Sequence, residues 1–123
     1  MIHQLVVDNN KESIKKINKL YNSGQSICVF LHSNNCGPCK MFSPVWDNTL
    51  NILKKSDMHF VKIEVGKLQL INELAKDFYD NVILKMLKRL NAVPNVGKYN
   101  PKTNRISVMK KRNESELRRF ITN

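Results

Sequence analysis

Residues 26–41 read Ser26-Ile27-Cys28-Val29-Phe30-Leu31-His32-Ser33-Asn34-Asn35-Cys36-Gly37-Pro38-Cys39-Lys40-Met41. Ile27 to Leu31 is an unbroken apolar run, the pattern of a strand covered on both faces. Ser33-Asn34-Asn35 breaks it, and Cys36-Gly37-Pro38-Cys39 then opens a helix. Two cysteines at this spacing form a dithiol that can close to a disulfide and reopen. At a helix N-terminus the first sulfur meets unpaired N–H groups and the positive end of the macrodipole, which favour thiolate over thiol. Pro38 suits the first turn, where its missing N–H would find no partner anyway. Gly37 lets a partner chain approach closely. Cys39 lies one turn on, within reach of a mixed disulfide on Cys36.

Outward from this centre, the helix from 37 continues through Phe42, Val45, Trp46, Leu50 and Leu53, with Pro44 as a kink. Upstream, residues 2–7 read as a strand, and Ile14, Ile17, Leu20 and Tyr21 recur at helical spacing over 11–22, ended by Ser23-Gly24. Downstream, residues 58–65 alternate as a strand with Lys62 and Glu64 on one face. The β-α-β-α-β order predicts an α/β domain with parallel pairings and helices on the sheet faces. Val96 to Tyr99 and Arg105 to Lys110 are two more strands, joined by a turn at Asn100-Pro101-Lys102-Thr103-Asn104. Asn113, with Glu116 three residues on, caps a final helix whose Leu117, Phe120 and Ile121 face inward. The expectation is a single domain over residues 1–123, with a central mixed sheet of about five strands flanked by helices.

Composition narrows the function classes. Three cysteines are too few, and odd in number, for a disulfide scaffold, and no stretch approaches a membrane span. The N-terminus shows no secretory signal pattern, so a reducing compartment, the cytoplasm, is expected, or a virion if the source is a virus. The net charge of +11 favours acidic partners. Basic clusters at Lys85-Lys88-Arg89, Lys110-Lys111-Arg112 and Arg118-Arg119 lack the interleaved aromatics of a base-stacking surface, which argues against nucleic acid. Cys28, His32, Cys36 and Cys39 are a zinc set on paper, but Cys28 sits mid-strand and the spacing matches no usual finger, so no metal is expected.

Cys36-Gly37-Pro38-Cys39-Lys40-Met41 followed by Pro44 resembles the active-site helix of thioredoxin, and the resemblance covers most of the chain. It implies a thioredoxin fold and thiol–disulfide exchange with protein clients, with no bound cofactor and with a separate electron or disulfide donor. Cys36 would be the nucleophile and Cys39 the resolving thiol. Pro94 would be a cis-proline beside the dithiol, with Val93 pairing with the client's backbone. Lys62 would match a central-strand lysine that normally interacts with a buried aspartate. That aspartate's position falls on Phe30, leaving His32 or Glu64 as candidate substitutes. Asn35 stands where the family has a tryptophan, Lys110 where it has a glycine and Asn95 where it often has a threonine, so the substrate groove should be more polar and basic. The apolar stripe over residues 66–92 is longer than the family needs. It is either an extra covering helix or a dimer or partner surface using Ile83, Leu84 and Leu87. The alternative to an enzyme is a thioredoxin-fold module that only binds or senses redox state.

Overall fold

A computed structural model describes residues 4–6, 12, 15, 16, 19, 23–53, 58–64, 85, 86, 89, 90 and 92–122. Five strands form one mixed sheet in the order β1-β3-β2-β4-β5: β1 (Gln4–Val6), β2 (Ser26–His32), β3 (Met58–Glu64), β4 (Asn95–Asn100) and β5 (Arg105–Val108). β3 runs parallel to both β1 and β2, whereas β4 and β5 join on the other side antiparallel. The helices are α1 (Gly37–Leu53) and α2 (Glu114–Thr122). The apolar run 27–31 is the central strand, buried along its whole length as expected.

Side-chain alternation divides the sheet into two faces. On one, Cys28, Phe30, Phe60 and Val96 meet Phe42, Trp46 and Leu50 of α1 and Leu117 and Ile121 of α2. The Phe30 ring is the hub, with centroids 5.3 Å from Phe42 and 5.2 Å from Trp46, and Trp46 in turn meets Phe60 edge-on at 5.9 Å. The strand register extends this face toward the start of α1 as facing pairs: Cys28 with Phe60, Phe30 with Lys62, His32 with Glu64. The face therefore turns from apolar to polar where the dithiol helix begins.

Local chemistry sets the element ends. Gly24 takes φ 79, the conformation that a side chain resists. Asn104 closes the β4–β5 hairpin at φ 55, and Lys102 N–H donates to Asn100 Oδ1 at 3.0 Å. Asn113 caps α2 by accepting from Glu116 N–H at 2.9 Å. β5 stops at Val108, two residues short of the expected end, although Met109 N–H still donates to the Val96 carbonyl at 2.9 Å.

Of the 66–92 segment, Lys85, Met86 and Arg89 are helical and Leu90 follows. Apart from Ala92, the rest, including the partner surface expected at Ile83, Leu84 and Leu87, lies outside the described residues, as do most of the residues expected in a helix at 11–22. Met86 is fully buried against β4, so tightly that a Cβ on Gly97 would stand 2.6 Å from its Sδ and 2.8 Å from its Cγ. This is why a strand interior carries glycine. Gly97→Ala is expected to destabilise by about 1–3 kcal/mol through overpacking, read as a lower urea midpoint. Adding Met86→Ala should cost less than the sum of the two single changes, because it removes the clashing atoms.

Candidate active site

The site forms where β2 hands over to α1. Cys36 N–H donates to the Ser33 carbonyl at 3.3 Å and Lys40 N–H to the Cys36 carbonyl at 3.2 Å, which sets Cys36 at the head of the helix. Its sulfur accepts from Cys39 N–H at 3.1 Å, one of the free donors of the first turn. The same sulfur stands 4.0 Å from the Val93 carbonyl oxygen. The Val93–Pro94 peptide is cis, as the resemblance implied. The expected meeting of Cys36, Cys39, Val93 and Pro94 is thus present, and Asn95 adjoins it. Asn95 is buried in register with Leu31, its Oδ1 accepting from Val96 N–H at 2.9 Å.

The three cysteines occupy different environments. Cys36 is partly exposed. Cys39 is 2% exposed, and its sulfur accepts from Ser33 N–H at 3.4 Å. Burial, then the contact with Cys36, pushes its thiol above the ordinary range; the Ser33 N–H opposes this without cancelling it. Cys28 is 0% exposed, and burial pushes its thiol up to about 12 against a weak opposing pull from Lys98. Among the described residues no three His, Cys, Asp or Glu side chains are placed to hold a metal ion.

Gly37 and Pro38 are exposed at the helix start, and a Cβ on Gly37 would meet nothing within 4 Å. Asn35 is exposed in the turn, its N–H donating to Ser33 Oγ at 3.3 Å. Lys62 Nζ donates to Ser43 Oγ at 2.8 Å and lies 5.7 Å from the Phe30 ring centroid, so a hydroxyl and an aromatic face take the aspartate's place. Beside Cys39 a hollow of about 160 Å³ is lined by His32, Ser33, Lys40, Ser43 and Lys62, among others. Lys110 lines a separate hollow with Lys98, Arg119 and Phe120.

One residue of the site escaped the sequence reading. Arg112 donates through Nε to the Pro94 carbonyl at 3.0 Å and through Nη1 to the Lys110 carbonyl at 3.3 Å. It fastens the approach to α2 onto the cis-proline loop. It also edges a largely apolar hollow of about 420 Å³ with Pro38, Met41, Phe42, Val45 and Pro94, where Met41 is 79% exposed. The signal was there, a cation directly before the helix cap in Lys110-Lys111-Arg112, but only as a charge cluster.

Burial and thiol acidity together give an order of reactivity. In the reduced protein near neutral pH, iodoacetamide should label Cys36 first, Cys39 slowly and faster as pH rises, and Cys28 only on unfolding. Peptide mapping by mass reads the order, and labelling of Cys28 or Cys39 ahead of Cys36 contradicts it.

The thioredoxin family model matches residues 4–123. A thioredoxin of Coprinus comatus is 31% identical over 64 residues, which are 52% of this chain and 60% of that protein. A thioredoxin of Mycoplasmoides gallisepticum is 27% identical over 63 residues, 51% of this chain and 58% of that one. The match thus spans about 60% of the length of these curated relatives. The Fasciola hepatica thioredoxin structure superposes with a TM-score of 0.62 at 20% identity, covering 96% of each chain, and shares the fold. Since the family model runs from β1 through α2, with the dithiol and the cis-proline loop inside it, the chain belongs to the thioredoxin family.

Proposed function

We propose that this protein is a thiol–disulfide oxidoreductase that exchanges its Cys36–Cys39 dithiol with disulfides of protein clients. The observation that carries this is the position of the Cys36 sulfur, partly exposed, 3.1 Å from Cys39 N–H and 4.0 Å from the Val93 carbonyl. In the reducing direction, the Cys36 thiolate attacks one client sulfur. The client S–S bond breaks, the other client sulfur leaves with the bonding pair and takes up a proton, and a mixed disulfide remains. Cys39 then loses its proton and attacks the Cys36 sulfur, releasing the second client thiolate and closing the Cys36–Cys39 disulfide. The client gains two electrons and two protons. A separate dithiol donor must return them, and in reverse the same steps oxidise a client. The two sulfurs carry the electron pair themselves, so the reaction draws on no bound cofactor.

Client choice follows the surroundings. The Val93 backbone beside Cys36 suits an extended client segment. The hollow beyond Pro38 and Met41 takes an apolar side chain, with Arg112 at its edge. The chain's charge of +11 speeds encounter with acidic clients more than it holds them. Several cations are tied to the protein itself: Arg89 to the Ile106 carbonyl, Arg112 to that of Pro94, Arg118 to Glu114 and Arg119 to Glu116. This supports steering rather than an open nucleic-acid surface. No helix among the described residues is long and apolar enough to cross a membrane. A reducing compartment such as the cytoplasm fits a dithiol that must be reset to the thiol form.

Cys39→Ser removes the resolving thiol and leaves the nucleophile. It is expected to accumulate clients as DTT-sensitive adducts on Cys36 and to lose at least a hundredfold in multiple-turnover disulfide reduction, on the order of what a missing reactive group costs. Cys36→Ser should form no adducts and show no turnover. Wild-type turnover no greater than that of Cys36→Ser would leave a binding or sensing module instead.

A further inference from the structure

The resolving step leaves a proton without a destination. Cys39 is 2% exposed and held mostly as a thiol by burial, yet it must become a thiolate to attack. The residues that share its 160 Å³ hollow are few. Ser33, Asn34 and Ser43 carry no basic group, and Lys40 and Lys62 present ammonium groups, which donate and do not accept. Among the described residues that line it, His32 is the one left that can take a proton at neutral pH.

Resting on the thiol–disulfide reading above, we propose that His32 accepts the Cys39 proton across this hollow during resolution of the mixed disulfide. The imidazole is already fixed there. Its ring lies 5.3 Å from Phe30, tilted by 39°. Its strand position faces Glu64, and Lys62 lies one pair further along the same face. Partial burial and then the Lys62 charge hold it below the ordinary histidine range, with Glu64 opposing, so it stays neutral with a free ring nitrogen near pH 7. Among the described residues, the charged or titratable groups around it are Lys62 and Glu64 on β3 and Cys39 and Lys40 on α1. The β4 residues paired with Phe30 and Leu31 are Val96 and Asn95, neither of them titratable. In the step, the Cys39 S–H bond breaks, the proton passes to His32, the sulfur electron pair forms the bond to the Cys36 sulfur, and the Cys36–client bond pair leaves with the client sulfur. The imidazolium then returns its proton to solvent.

The test separates the two thiol steps. Excess reduced protein is mixed with 5,5′-dithiobis(2-nitrobenzoate) in stopped flow. Attack by Cys36 releases one coloured thiolate, and resolution by Cys39 releases the second, a leaving group that needs no proton. A missing first phase would speak against the oxidoreductase reading itself; only the second phase bears on His32. With His32 as acceptor, the second-phase rate should be nearly flat between about pH 6.5 and 8 and fall below that as the imidazole protonates. His32→Gln should slow this phase by about a hundredfold at neutral pH, a general-base loss, and replace the plateau with a tenfold rise per pH unit. Glu64→Gln should keep the plateau and move its acid edge to lower pH. Added imidazole should restore part of the rate to His32→Ala. A wild-type second phase that climbs tenfold per pH unit without a plateau, or a His32→Gln second phase equal to wild type, overturns the proposal. The wild-type profile alone decides if the variants fail to fold.

Discussion

The Phe30 ring is the contact on which the rest of the structure depends. It sits mid-way along the central strand with aromatic neighbours at 5.2–5.3 Å on three sides, Trp46 and Phe42 from α1 and His32 from its own strand. Such pairs add about 0.5–1.5 kcal/mol each beyond the area they bury. The ring ties the helix that starts with the dithiol to the strand that delivers it, so the position of Cys36 is inherited from core packing. A carboxylate at position 30 would lose these contacts and bury a charge beside Lys62, whose ammonium is already engaged by Ser43. Packing and proton handling are therefore kept apart, with the apolar group under the helix and the titratable group two residues on, at the rim of the same sheet face.

Much of this frame was legible because it rests on local rules. Ile27 to Leu31 could only be a covered strand, and it occupies the sheet centre. Asn113 with Glu116 announced a helix start, and the cap bond is there. The β5 end was not legible, because apolar Met109 directly after Val108 reads as more of the same strand while the chain already turns toward the α2 cap. Nor was the reason for Gly97, since only the fold brings Met86 against it.

In the site, the motif and the family pattern carried Cys36, Cys39, Val93 and Pro94, residues whose meaning is written in their immediate neighbours. Arg112 and the His32 hollow were not legible in the same way. Each acquires its partner across the fold: Arg112 reaches the Pro94 carbonyl 18 residues away, and His32 shares a hollow with Lys62 of β3. A cation in a basic cluster has no distinctive spacing, and although the family pattern already offered His32 beside Glu64 as a candidate base, the hollow that joins it to Cys39 follows from packing alone.

The burial of Cys28 carries a consequence for the working life of the protein. While the chain is folded, its third sulfur behaves as a small hydrocarbon, and only two thiols take part in exchange. Once the sheet opens, all three sulfurs share one flexible chain, and of the three intramolecular pairings open to them two consume Cys28 and leave the dithiol broken. A single opening in an oxidising medium can then trap the protein with a non-native disulfide that must be reshuffled or reduced before the chain refolds. Durability under oxidative stress is thereby a kinetic property, set by how seldom the central strand is exposed and not by the potential of the dithiol it supports.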